Sequence, residues 1–341
     1  MVVEELNQNE YSQWDEFVEK NDDGTFYHLT GWKELVEKVY RFKSFYLIAK
    51  ENNKITGILP LFLTKDIFFG KKLISVPFAV TGGVCGESSQ AEDILIEKAI
   101  ELTRKLNVDY LELRQFREQP GNWVMNKNYS MLLLKLNPDT DKLWKNLQQN
   151  TRRSVRRAKE KGLEVRLESK NLDEFYELYA QGQRDFGTPI MNYKWLKDLF
   201  NNFSDHHTIA TVYKDGKPIV SKFIRRFKKK VGTIFSHVLK EYRNLYPHHL
   251  LTWEIIENYS KQGYTYFDFG RTLLNTGTYK FKISWGAKPK QLNYHYYLHK
   301  AKAIPDTSHG SSKRQGLSKL WKKIPVPIAN TLGPIIRRNY P

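Results

Sequence analysis

One order of structural signals occurs twice in this chain, and that repeat most constrains the fold. In the first copy, alternating apolar residues predict strands over Ser44–Lys50 and Lys54–Thr64, joined by the turn Glu51–Asn53. A strand at Lys72–Pro77, the glycine-rich turn Thr81–Gly86, an amphipathic helix over Gln90–Leu106 and a strand over Tyr110–Gln115 follow. In the second copy, strands Thr208–Lys214 and Lys217–Phe227 flank Asp215–Gly216, and Val231–Val238 continues. A helix from about Pro247 to Gln262 then leads to a closing strand, Tyr264–Phe269. Leu250, Leu251, Trp253, Ile255, Ile256 and Tyr259 mark the buried side of that helix. Pro247 suits its first position and Gly263 its stop. Two such units read as a duplicated α/β (α+β) architecture, with mixed, mostly antiparallel sheets flanked by helices. The expected divisions are 1–140, 141–300 and a basic amphipathic tail over 301–341; 341 residues suffice for two cores.

Charge points to the partners. Lys and Arg number 55 against 37 Asp and Glu, a net charge of +18, which attracts RNA, anionic lipid or nucleotide-linked molecules. The single cysteine, Cys85, leaves no internal disulfide and fits a reducing cytoplasm. The polar, acidic start does not read as a signal peptide, and no run approaches the ~20 apolar residues of a membrane span. The expected location is therefore cytoplasmic, with peripheral contact at the inner membrane face through the tail. No metal site is expected. The pairs His206–His207 and His248–His249 have diverging side chains, and no HExxH or paired CxxC occurs. A GxSxG nucleophile elbow is also missing.

Three stretches carry candidate chemistry. Between the units, Asp141–Lys161 reads as a helix whose segment NTRRSVRRAKEKG sets Arg152 with Arg156, and Arg153 with Arg157, four apart on helical edges. Guanidinium forks of this kind bind phosphate oxygens, although a solvated face explains the same pattern. A second stretch, QRDFGTP, ends a helix at Arg184–Asp185; Gly187 and Pro189 block its return, and the rigid turn projects Arg184 and Thr188. The third, Phe267–Pro289, reads FDFGRTLLNTGTYKFKISWGAKP. It begins as a strand, breaks at Gly270–Arg271, and re-enters an aromatic-basic segment, expected as a strand, that carries Lys280 and Lys282. Asp268 is placed to orient an amine or to pair with Arg271.

This third stretch resembles the C-terminal motif of FemAB/FemX-like proteins, peptidyltransferase-like members of the GNAT acyltransferase superfamily. The branch associated with exopolysaccharide and PEP-CTERM gene clusters is the most similar, and QRDFGTP resembles its RDxGTP run. The resemblance is strongest over Thr140–Leu298 and implies a tandem GNAT fold. It implies transfer of an acyl or aminoacyl group to an amine, or a hydroxyl, of a cell-envelope glycan or peptidoglycan-type precursor. The donor would be a co-substrate, aminoacyl-tRNA or acyl-CoA, with no bound cofactor. The matching Y-x-F-K run is Tyr279–Lys282, so Lys282 inherits the stabilisation of charge at the reacting ester, with Asp268 as a second catalytic candidate. Arg152, Arg153 and Arg156 match a helix that helps hold the nucleotide-linked acceptor in muramyl-peptide-binding members. Arg184, Thr188, Arg271 and Tyr279 complete the expected substrate contacts. Two other readings remain open: a CoA-dependent N-acyltransferase on an amino sugar, and a non-catalytic GNAT-like binding protein of a polysaccharide-synthesis complex. The loop before the second helix, Glu241–Tyr246, has no glycine, which weighs against ordinary CoA-dependent acetyl transfer.

In the tail, Lys313, Arg314, Lys319, Lys322, Lys323, Arg337 and Arg338 face one acid, Asp306. Leu317, Leu320, Trp321 and Ile324 are expected to form the apolar face of a lipid-binding helix.

Overall fold

The computed structural model describes residues 1–66, 70–304 and 312–340, without the side chains of 312–315 and 317. The expectations for Asp306 and for the side chains of Lys313, Arg314 and Leu317 lie outside the described residues. The chain divides into two compact units. Unit 1 holds Met1–Tyr129 with a returning segment from Gln291 and the last residues from Ile335; unit 2 holds Ser130–Lys290 and most of the tail up to Pro334.

Unit 1 runs β1 (Val2–Glu5), α1 (Tyr11–Lys20), α2 (Thr30–Tyr40), β2 (Lys43–Glu51), β3 (Lys54–Asp66), β4 (Gly70–Ile74), β5 (Cys85–Gly86), α3 (Ser89–Lys105) and β6 (Tyr110–Gln115). Its strands lie in the order β1-β2-β3-β4-β6, with β5 on β3. Neighbours are antiparallel except β4 and β6, which run parallel over Lys72–Ile74 and Tyr110–Glu112 because α3 carries the chain across. The outer neighbour of β6 arrives from the far end of the sequence: Asn293–Leu298 of β13 (Lys288–Leu298) pairs antiparallel with it. The Ser88 hydroxyl accepts from the Ala91 amide to start α3. Ala91, Leu95 and Ala99 then recur at four-residue spacing and pack on Leu59, Leu61, Leu73 and Leu111. Helix and sheet approach so closely that a Cβ at Gly57 would stand 3.0 Å from Leu95 Cδ1.

Unit 2 repeats this order without a counterpart of β5: β8 (Glu164–Ser169), α6 (Leu172–Phe186), α7 (Tyr193–Asn202), β9 (His207–Lys214), β10 (Lys217–Phe227), β11 (Lys230–Val238), α8 (Pro247–Lys261) and β12 (Tyr266–Leu273). Its strands lie as β12-β11-β10-β9-β8, with β7 (Val124–Lys135) beyond β12. β11 and β12, which the long helix α8 spans, again run parallel. The expected tandem fold with mostly antiparallel sheets is therefore the observed one. Two additions precede the repeat in unit 2: α4 (Thr140–Asn146) and the basic helix α5 (Gln149–Lys159). The single helix expected over Asp141–Lys161 is broken at Leu147–Gln148, whose extended backbone ends α4 and starts α5.

Two helices, α10 (Ser312–Trp321) and α11 (Val326–Arg337), end the chain after the short α9 (Gly277–Ile283) and β13. Trp321 is buried, so it cannot belong to an outward lipid face; Ala329 and Gly333 of α11 are buried too. In unit 1, Arg337 and Arg338 stack on Phe78 and Phe42 at 5.6 and 5.8 Å.

Candidate active site

The site begins where a parallel ladder ends. β11 and β12 pair only over Lys230–Gly232 and Tyr266–Asp268, although both strands continue. Gly232 permits the close approach at that point, since a Cβ there would lie 2.7 Å from the Asp268 carbonyl oxygen. Strands that part leave backbone groups without ladder partners, and buried groups of that kind must be satisfied otherwise. The Asp268 carboxylate accepts from the Gly270 amide at 2.7 Å. Gly270 has φ +74, a conformation that glycine adopts without strain. The Gly270 and Arg271 carbonyls accept from Lys282 Nζ at 3.0 and 3.1 Å.

Three expectations for this stretch are corrected. The strand does not break at Gly270–Arg271; it bends there and runs to Leu273. Asp268 pairs not with Arg271 but with Arg225 of β10, at 3.1 Å, and Arg271 is exposed. Tyr279–Lys282 forms no strand but lies in α9, which the Thr276 hydroxyl caps by accepting from the Tyr279 amide. The alternation of aromatic and basic residues mimics a strand, while the cap and the required packing select a helix. Lys280 is exposed and Lys282 buried, because residues two apart on a helix lie about 200° apart. Tyr279 is half-buried against the unit 2 core.

Lys282 is 8 % exposed, and burial lowers its pKa to about 8; Asp268 opposes this shift and Arg271 adds to it. An ammonium has three N–H donors. Two are taken by the carbonyls, and the third has no protein partner among the described residues. The arrangement is a cation fixed by the backbone at the end of a strand, with one directed donor remaining.

Behind α9 lies a polar cluster that the sequence reading missed. Lys222 of β10 is buried and donates to the Thr252 hydroxyl, which donates on to the His248 carbonyl at 2.7 Å. The His248 ring meets the Ser236 hydroxyl at 3.2 Å and packs on Phe281, with centroids 5.1 Å apart. Burial alone brings Lys222 down to about 7. Desolvation, aided by Lys222, holds His248 well below its ordinary value. The signal was present: Val220, Lys222 and Ile224 share one strand face, and a lysine between two core residues must be buried.

The basic helix joins the site through its inner side. Thr151 donates to the Ser284 carbonyl at 3.1 Å, just after α9, while Val155 and Ala158 enter the core. Arg152 is half-buried and donates to the Lys145 carbonyl at 2.6 Å. Arg156 is exposed and stacks on Trp144 at 5.7 Å; Arg153 is exposed. Arg184 donates to the Lys322 carbonyl at 3.3 Å, and the Thr188 amide donates to the Gln183 carbonyl. Both therefore support the end of α6 and the seating of α10. A separate cavity of about 410 Å³ has an apolar floor of Leu134, Leu143, Leu147, Ile256 and Trp285. Lys135, Lys288 and Lys290 stand at it and are exposed.

In unit 1 the glycine-rich turn is packed. The Gly82 amide donates to the Arg114 carbonyl, a Cβ at Gly83 would meet Gln115, and the adjoining cavity is only about 40 Å³. No group of three or more His, Cys, Asp or Glu residues suited to a metal ion occurs among the described residues.

Residues 145–282, which lie in unit 2, match the family described as acetyltransferase (GNAT) domain. The solved structure of FemX is similar over 95% of this chain and 100% of its own, with a TM-score of 0.66 and 13% identity. L-PGS from Bacillus licheniformis is similar over 95% of this chain and 100% of its own, with a TM-score of 0.57 and 12% identity. A tandem GNAT protein from the clavulanic acid biosynthesis pathway covers 87% of this chain and 98% of its own, with a TM-score of 0.56 and 10% identity. At such identities these likenesses speak for the tandem GNAT fold. A comparison with curated protein sequences gives no match.

Proposed function

We propose that unit 2 transfers an acyl or aminoacyl group to an amine, or a hydroxyl, of an anionic cell-envelope glycan or peptidoglycan-type precursor. The observation that carries this reading is Lys282: a buried ammonium, fixed by two carbonyls where the strands part, with one donor remaining. In the proposed step the acceptor nitrogen attacks the donor's carbonyl carbon. A C–N bond forms, the carbonyl oxygen becomes an oxyanion, and its collapse expels the alkoxide or thiolate of the donor. The acceptor's proton passes to solvent or to the leaving group. A donor already aimed at the oxyanion stabilises it without reorganisation. Asp268 serves this geometry indirectly, since Arg225 and the Gly270 amide occupy its oxygens.

An ester donor such as aminoacyl-tRNA suits the site better than a CoA thioester. The segment before α8 is a 3-10 helix over Lys240–Leu245 rather than a glycine loop with free amides for a pyrophosphate. The FemX-like fold and the net charge of +18 support the same reading.

The acceptor's negative charge is assigned to the exposed arginines of α5. Arg153→Ala with Arg156→Ala is expected to weaken binding of a nucleotide-linked precursor and to flatten its salt dependence. Arg152 is left intact because it braces the Lys145 carbonyl. A thermal-shift panel of tRNA, UDP-linked amino sugars and acetyl-CoA tests the substrate class. Stabilisation by tRNA and a nucleotide-linked sugar is expected; stabilisation by acetyl-CoA alone would instead favour the CoA-dependent enzyme.

A further inference from the structure

The tail helix α11 is packed the wrong way round for a helix in water. Its inner side is made of small residues: Ala329 is 2 % exposed, and Gly333 fits so tightly that a Cβ would lie 2.7 Å from Ile190 Cγ2. Three of its large apolar residues point outward. Ile328 is 49 % exposed and Leu332 42 %, and Ile335 follows on the next turn at 66 %. The spacing of four and then three places them on one face. Leu320 of α10 is exposed as well. Of the nine large apolar side chains exposed among the described residues, these are four, gathered within the last two helices. Scattered exposed apolar residues need no explanation, whereas a gathered set marks an interaction surface.

Charge identifies the occupant. Lys319, Lys322 and Lys323 are exposed beside Leu320, and no acidic residue occurs from Lys319 to the end of the chain. An exposed apolar set in a segment whose only charges are cationic fits a bilayer surface carrying anionic head groups. The contact lies on the membrane, since no helix among the described residues is long and apolar enough to cross one. Packing also changes which residues take part. Trp321 is turned into the fold, and Arg337 and Arg338 are stacked on rings in unit 1. We infer that the outward face of α11, with Leu320 and the lysines beside it, docks on anionic lipid, Ile328 and Leu332 entering the interface and Lys322 and Lys323 meeting the head groups. This docking is independent of the acyl-transfer reading.

Co-sedimentation of the full chain with vesicles tests it. Phosphatidylcholine vesicles containing phosphatidylglycerol are expected to pull the protein down, and phosphatidylcholine alone is not. Deleting the tail is a poor test, because Trp321, Ala329 and Gly333 are packed in the fold. Ile328→Ser with Leu332→Ser changes only exposed positions and is expected to lower partitioning about tenfold or more. Lys322→Gln with Lys323→Gln is expected to lower it by about fivefold per charge removed at low salt. Circular dichroism melts confirm that each variant is folded, and the lysine pair remains a test if the apolar pair is not. Equal binding to both vesicle types, or none to the anionic ones, overturns the inference. So does a wild-type self-association, seen by sedimentation equilibrium, that the apolar pair abolishes while vesicle binding is unchanged.

Discussion

Lys282→Met is expected to lower kcat by about a hundredfold or more, the scale of losing one oxyanion donor, with KM for the acceptor little changed. In the proposed step the donor acts on charge that exists only in the transition state, so its loss falls on kcat. The same side chain satisfies the Gly270 and Arg271 carbonyls, and a structural cost accompanies the substitution. Thermal melts read that cost separately: a folded variant with wild-type KM and low kcat locates the defect in chemistry. The pH profile adds a second signature. Lys282 has its pKa near 8, so its positive charge is present below that pH and is lost as pH rises through it. Activity of the wild type is therefore expected to fall above about pH 8. Lys280→Met is expected to be mild, because that side chain is exposed. Equal effects at the two lysines would remove Lys282 from the mechanism.

Lys222→Met is expected to stabilise the protein at pH 6 by up to about 4–5 kcal/mol, and the gain should vanish by about pH 10.5. The folded-state pKa of Lys222 is about 7 against an ordinary 10.5, and burial is the cause. Below pH 7 both folded and unfolded chains carry the proton, and the fold bears the whole cost of an enclosed charge. Between 7 and 10.5 the unfolded chain binds more protons, so wild-type stability rises with pH. Methionine fills a similar volume without charge, and replacing a buried charge by an apolar group is often stabilising. Thr252 remains hydrogen-bonded to the His248 carbonyl after the change. Urea melts at pH 6 and pH 10 measure the difference; a loss of stability at pH 6, or the same gain at both values, contradicts the assignment. A residue kept at such a cost, in the cluster against Phe281, links the core of unit 2 to the helix that carries Lys282.

What was legible followed from local periodicity. The hairpins β2–β3 and β9–β10 and the long helices α3 and α8 stand where alternation and three-four spacing placed them, because each buries one face against one neighbour. β7 and β13 were not read as strands. Their opening residues, Val124–Asn128 and Lys288–Gln291, are polar or exposed, and their partners are distant in sequence. Helices α1, α2 and α7 were also unread, although Trp14, Phe17 and Val18 show the spacing of a buried helical face. At the site, the identity of Lys282 came from the Y-x-F-K run, but its surroundings did not. The Arg225–Asp268 pair joins two strands 43 residues apart, and no local pattern reports it. The tail is basic in composition, and its outward apolar residues include Leu320, Ile328 and Leu332, while the expected Trp321 turns inward. Sequence gives the hydrophobic face of a helix; here the tight contact of Gly333 with Ile190 decides which side turns inward.

The proposed acyl transfer by unit 2 through Lys282 is open to one decisive assay. It is tested most directly by supplying labelled aminoacyl-tRNA or acyl-CoA together with amine-bearing, nucleotide-linked envelope precursors, and following the label into the acceptor by mass spectrometry. Transfer by the wild-type chain from the tRNA ester is expected, and about a hundredfold slower transfer by the folded Lys282→Met variant. Transfer at the wild-type rate by that variant, or no transfer from any donor to any acceptor by a folded wild-type chain, would contradict it.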